Sequence, residues 1–144
     1  LRRLLADGET SIAFAFNPAE ASAAIANKEL PDTVRSYVLD KGTIGNIHFL
    51  AIPYNAAHKA GAMVLADFLL SPEAQAAKQD PKIWGDFTVL ADKALSDADR
   101  ARFAALDLGV ATLSPAALGA AVPEPHASWM TAIEQEWARR YKGQ

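Results

Sequence analysis

The sequence predicts an α/β fold. Period-2 alternation marks residues 10–16 and 33–39, an apolar strand-like run covers 47–52, and alanine-rich segments with helical start and stop signals lie between and after them. The length of 144 residues suffices for one domain with its own core.

Composition bounds what such a fold could do. The chain is 51% hydrophobic and 22% charged, which is globular rather than disordered. A net charge of −3 with no basic stripe argues against a dedicated nucleic-acid binder. No apolar run reaches the roughly 18–20 residues needed to cross a bilayer. The absence of cysteine excludes thiol nucleophiles, cysteine-based zinc sites and disulfides, and is compatible with an oxidising compartment.

The elements follow in order. Leu1 to Asp7 reads as the last turns of a helix stopped by Gly8 at C′. A chain that opens on the tail of a helix, without an initiator methionine or signal peptide, is expected to be cut from a longer protein. In 10–16, Ile12, Phe14 and Phe16 share one face, expected to be buried. Asn17 is placed as an N-cap, with Pro18 at N1 and Glu20 at N3, opening a helix to about Lys28 that stops before Pro31. In 33–39, Val34, Ser36 and Val38 alternate against Arg35, Tyr37 and Leu39. A turn at Asp40-Lys41-Gly42 leads through Thr43-Ile44-Gly45-Asn46 to an apolar strand, 47–52, ended by Pro53.

The second half is helical. Asn55 opens a helix over 56–70, and Ser71-Pro72 starts another that ends near Gln79. Residues 80–90 read as an ordered loop around Trp84. Ser96 caps a helix to about Leu106, Ser114-Pro115 starts a further one, and Pro123 and Pro125 break the chain. A final amphipathic helix over 128–141 carries Trp129, Ile133, Trp137 and Tyr141 in one stripe, expected to face a core.

Catalytic constellations are thin. The histidines His48, His58 and His126 form no i, i+4 metal pair, and no nucleophile elbow, P-loop or dinucleotide fingerprint is present. The reading is therefore of a protein with no catalytic residue, metal or cofactor. Two places could bind a ligand instead. One is the helix start at Asn17-Pro18, where unpaired N–H groups face outward, although Asn17 and Glu20 could simply cap their own helix. The other is the polar turn from Thr43 to His48, which an ordinary surface turn would also explain.

Two stretches carry a family resemblance. They are Gly8-Glu9-Thr10-Ser11-Ile12-Ala13-Phe14-Ala15-Phe16-Asn17, and Gly42 through Ala51-Ile52-Pro53-Tyr54-Asn55-Ala56. Lys59-Ala60-Gly61-Ala62 and Asp67-Phe68-Leu69-Leu70-Ser71-Pro72-Glu73-Ala74-Gln75 follow. Over residues 8–79 the chain resembles the C-terminal part of extracellular solute-binding proteins of ABC importers, in the polyamine, thiamine and iron type, and within it the YnjB-like subfamily.

The resemblance implies a fragment of a two-lobed, type II periplasmic-binding fold with several C-terminal helices. Residues 1–46 would belong to the second lobe, and 47–144 would form a crossover strand and helices returning to the first lobe, with the N-terminal part of the parent missing. It implies periplasmic location, capture of a small solute in an interlobe cleft, and delivery to ABC permease membrane subunits. Hinge positions would be Gly42, Gly45 and Pro53. Ligand contacts carried across fall on Phe16, Asn17, Thr43, Asn46 and His48. Polyamine-binding relatives place an aromatic and a carboxylate where Asn46 and His48 stand here, so a neutral or anionic solute is expected rather than a polyamine. Iron would need tyrosines, and Tyr37, Tyr54 and Tyr141 include no adjacent pair. Surface that a missing lobe would cover leaves room for self-association in a crystal.

Two other readings compete. A stand-alone α/β interaction module would use its apolar faces to bind a partner protein. An enzyme would need a catalytic group among His48, Glu20 and Asp40.

Overall fold

The computed structural model describes residues 1–45, 47–119 and 121–142. Its elements are α1 (Arg2–Ala6), α2 (Glu20–Ala26), α3 (Lys59–Leu69), α4 (Pro72–Gln79), a 3-10 turn at Asp92–Ala94, α5 (Asp97–Ala104), α6 (Pro115–Leu118) and α7 (Ser128–Tyr141).

Local chemistry explains most of these helices. Asp7 ends α1 and Gly8 follows in the left-handed region at φ 74°, as a C′ stop requires. Three serines start three helices by the same device, each hydroxyl accepting from an N–H three residues on. Ser71 caps α4 through Ala74 at 3.2 Å, Ser96 caps α5 through Asp99 at 3.1 Å, and Ser114 caps α6 through Ala117 at 3.2 Å. Each such cap contributes about 1 kcal/mol. Pro72 and Pro115 occupy the first turn, where the missing N–H costs nothing. In the last helix, hydrogen bonds from Arg139 and then Arg140 hold the exposed Glu136 carboxyl below its usual range.

The α/β expectation is overturned. Among the described residues no segment forms a named strand, and sheet-like pairing is confined to one parallel bridge between Ile44 and Val122. Residues 10–16 and 47–52 lie in no sheet, and the face of 10–16 expected to be buried is open: Phe14 is 84% exposed and Phe16 104%. Residues 33–39 likewise form no strand and touch the rest through Ser36, which donates to the Ala111 carbonyl at 3.3 Å. Alternation specifies which side chains share a face, whereas a strand also needs a neighbouring backbone to pair with. With no sheet, the type II periplasmic-binding fold is not what this chain adopts.

Smaller corrections follow. Helix α2 begins at Glu20 with Ala19 in the N-cap position, later than expected from Asn17-Pro18, and α3 begins at Lys59 rather than 56. The aromatic stripe of α7 packs on no core: Trp129, Ile133, Trp137 and Tyr141 are all exposed, although Trp137 and Tyr141 stack at 4.5 Å. The presumed hinge around Gly42 and Gly45 is tied to the C-terminal region. Gly45 N–H donates to the Val122 carbonyl at 3.1 Å and Val122 N–H to the Thr43 carbonyl at 3.0 Å. A Cβ on Gly45 would collide with the Ala121 methyl, so glycine permits this close approach.

The buried set is small and partly polar: Ala19, Ala24, Leu30, Ala76 and Ala111, with Ser22, Gln75 and Gln79. Every buried polar group in that set is satisfied, as burial demands. The Ser22 hydroxyl lies 2.6 Å from that of Thr112 and accepts from Ala111 N–H at 3.0 Å, fastening α2 to residues ninety positions later. Gln75 donates to the Leu69 carbonyl at 2.7 Å and accepts from the Thr88 hydroxyl and Val89 N–H, each at 3.0 Å. Gln79 accepts from Thr88 N–H at 3.1 Å. The buried face of α4 thus grips residues 88–90.

Replacing Gln75 by alanine strips partners from three buried or half-buried groups together. Gln75→Ala is expected to destabilise the chain by about 2–4 kcal/mol. Urea unfolding checks this, with amide exchange at Val89 accelerating in the same variant.

Candidate functional site

The loop that follows α4 turns back on the helix that launches it. Gly85 and Asp86 N–H both donate to the Lys78 carbonyl, at 2.9 and 3.1 Å, and the Lys78 ammonium donates to the Phe87 carbonyl at 2.6 Å. Gly85 sits at φ 87°, and a Cβ there would run into the Ala19 methyl. Only glycine meets both demands at low cost. This tight return brings Trp84 and Asp86 beside α2.

Four side chains meet there. The Lys78 ammonium lies 3.0 Å from Asp86 Oδ2 and 5.7 Å from the Trp84 ring centre, at cation–π range. His48 Nε2 approaches the same Asp86 oxygen at 3.2 Å, and its imidazole lies 5.2 Å from the Trp84 ring at a tilt of 47°. Asn17 closes the group from the other side. Its Nδ2 donates to the Trp84 carbonyl at 2.6 Å while its Oδ1 accepts from Ala19 N–H at 2.8 Å.

Burial grades across the cluster. The Lys78 side chain is 12% exposed, Asp86 21% and His48 66%, so the charged pair is a half-sheltered base and the imidazole stands at the rim. Lys78 and Asp86 neutralise each other, leaving a surface of two aromatic rings and neutral polar groups. The imidazole directs its Nε2 at Asp86. Among the described residues no group of ligating side chains could hold a metal. The surface is open, and shallow depressions on α7 and between α4 and α5 include none of its members.

Of the five residues expected to touch ligand, the structure brings Asn17 and His48 to one place. Phe16 precedes Asn17 with its ring fully exposed. Thr43 is engaged elsewhere, its hydroxyl accepting from Leu39 N–H at 3.3 Å and its carbonyl from Val122. Asn46 lies outside the described residues. Lys78, Trp84 and Asp86 were not among the expected contacts. The signal for them in the sequence is the Trp84-Gly85-Asp86 tripeptide, where a glycine after a loop tryptophan marks a sharp return.

Comparison with known proteins gives one curated relative. The chain is similar to protein YnjB of Escherichia coli (strain K12), 43% identical over 138 residues covering 96% of this chain and 34% of that protein. The chain therefore spans about a third of the length of the curated relative it matches. This supports the YnjB-like part of the resemblance. No protein-family model matches the chain, and no solved structure matches it.

Asn17→Ala removes the hydrogen bond that holds the Trp84 carbonyl against α2. The expected cost is about 1 kcal/mol. It should appear in urea unfolding together with a change in tryptophan emission, whereas Phe16→Ala, which removes only an exposed ring, should leave stability unchanged.

Proposed function

We propose that the chain acts within a solute-binding component of an ABC import system, capturing a small neutral or anionic solute for delivery to a permease. The observation that carries this is the convergence of Asn17 and His48 on Trp84. These two were expected to touch ligand from separate stretches of sequence, and both reach Trp84, Asn17 through a hydrogen bond to its backbone carbonyl and His48 through its half-exposed ring. The resemblance of residues 8–79 to importer binding proteins, and the likeness to YnjB, support the same reading.

The electrostatics favour the stated ligand class. The only carboxylate in the cluster, Asp86, is already shared by Lys78 and His48. A polycation would have to compete with Lys78 for it, and like-charge approach to the ammonium costs energy. A neutral or anionic solute can stack on Trp84 and hydrogen-bond to the exposed imidazole of His48. Location in the periplasm and docking to permease subunits belong to this proposal.

The second reading, binding of a partner protein through apolar faces, has an observation of its own. The side chains of Phe14, Phe49, Met63, Val64 and Phe68 are exposed on one chain.

Thermal unfolding with a panel of amino acids, dicarboxylates, sugars, putrescine and spermidine tests the first reading. A neutral or anionic member is expected to raise Tm, with a ligand at one hundred times its Kd stabilising by about 2.7 kcal/mol. His48→Ala and Trp84→Ala should abolish the rise. Stabilisation by the polyamines alone, or a rise indifferent to both substitutions, would contradict it.

A further inference from the structure

Arg100 ties α5 to the turn that precedes it. Its Nη1 donates to the carbonyls of Asp92 and Leu95, at 3.0 and 2.7 Å, and its Nη2 pairs with Asp97. Phe103 and Ala104 stand three and four positions after Arg100, so the three share one face of α5. Between that face and the end of α4 lies a depression of about 460 Å³, lined also by Leu106, Leu108 and Pro115. Small-molecule sites span roughly 300–1,000 Å³ and are mostly apolar with a few placed polar groups. This depression has that size, and Phe103, Leu106 and Leu108 are half-buried in it.

One polar side chain of the lining is used at one end only. Gln79, the last residue of α4, is 5% exposed. Its Oε1 accepts from Thr88 N–H at 3.1 Å, and Thr88 is not part of the lining. That bond fixes which end of the amide is oxygen. Nε2, with two N–H donors, is left without an acceptor among the described residues. It is not sealed off either, since among those residues the Thr10 hydroxyl alone is both enclosed and unpartnered. A sheltered donor that opens on an apolar depression is the kind of group that orients a ligand.

We propose that the depression between α4 and α5 is a second binding site, for a small, largely apolar molecule carrying a neutral carbonyl oxygen. The apolar body covers Phe103, Leu106 and Leu108, and the carbonyl accepts from Gln79 Nε2. Charge in the lining selects against ions. Asp92 and Arg100 are its charged members, and Arg100 is already engaged by Asp97 and two carbonyls. An anion therefore finds no free cation there and meets the exposed Asp92, while an ammonium offers an amide N–H no acceptor. The depression includes none of Asn17, His48, Lys78, Trp84 and Asp86, so the inference does not depend on the solute proposed above.

The test is a proton–nitrogen NMR titration of the 144-residue chain with three probes of similar shape. They are acetophenone, isopropenylbenzene, which lacks the oxygen, and benzoate, which is charged. Acetophenone is expected to shift the Gln79 side-chain amide and the backbone amides of 103–108 saturably, binding about fivefold or more tightly than either other probe. Gln79→Glu keeps an oxygen for Thr88 N–H and removes the donor, so it should weaken acetophenone by about the same factor. Ala104→Phe fills the depression from α5 and should abolish the shifts. Absence of saturable shifts with acetophenone overturns the proposal. So do equal binding of isopropenylbenzene, preference for benzoate, shifts that bypass Gln79, or shifts that survive Ala104→Phe. If either variant fails to fold, the ranking of the three probes on the unaltered chain decides alone.

Discussion

The structure depends on the grip of α4 on the loop that follows it. Gln75, Lys78 and Gln79 project from successive turns of an eight-residue helix, and each holds backbone or side-chain groups of residues 85–89. Apolar burial contributes less here than in most domains, because among the described residues no large side chain is fully buried. Polar groups that are sheltered and satisfied therefore carry the definition of the fold, and each is costly to orphan. Helix α4 can do this because Ser71 and Pro72 fix its start, which sets the direction in which the glutamines point.

From that grip the site follows. Residues 84–86 are returned onto α4, and the return places Trp84 where Asn17 can reach its carbonyl and Asp86 where His48 can reach its carboxylate. Asn17 is thus a joint rather than a simple cap, donating to the loop while accepting from α2's leading residue. Arg2 makes a second, peripheral fastening, its guanidinium bound to Glu29 and Glu20 and its pKa raised chiefly by those hydrogen bonds. A cluster built in this way has its ion pair sheltered at the base and its imidazole exposed at the rim.

What was legible in the sequence was what is decided locally. Ser71-Pro72, Ser96 and Ser114 announce helices because a hydroxyl and an N–H three residues on suffice to make the cap. Alternation makes legible which side chains share a face, but not whether a sheet forms, since strand pairing is a property of a distant backbone. The α7 stripe was misread for the same reason: period 3.6 shows that Trp129, Ile133 and Trp137 share a face and says nothing of what covers it. Asn17 could be singled out as the polar residue that ends an apolar run, and His48 as the histidine that enters one. Lys78 stands in the last turn of α4, and its contact with Trp84 arises because Gly85 folds the loop back.

The central claim is that the α4 loop brings His48 against Trp84 and Asp86 although thirty-six positions separate the histidine from the tryptophan. Proton cross-relaxation between the two rings in the intact chain tests it most directly. Ring centres 5.2 Å apart predict cross-peaks between His48 imidazole and Trp84 indole protons, lost in Asp86→Ala. Absence of those cross-peaks in the unaltered chain, with the α4 amides protected, would contradict the account.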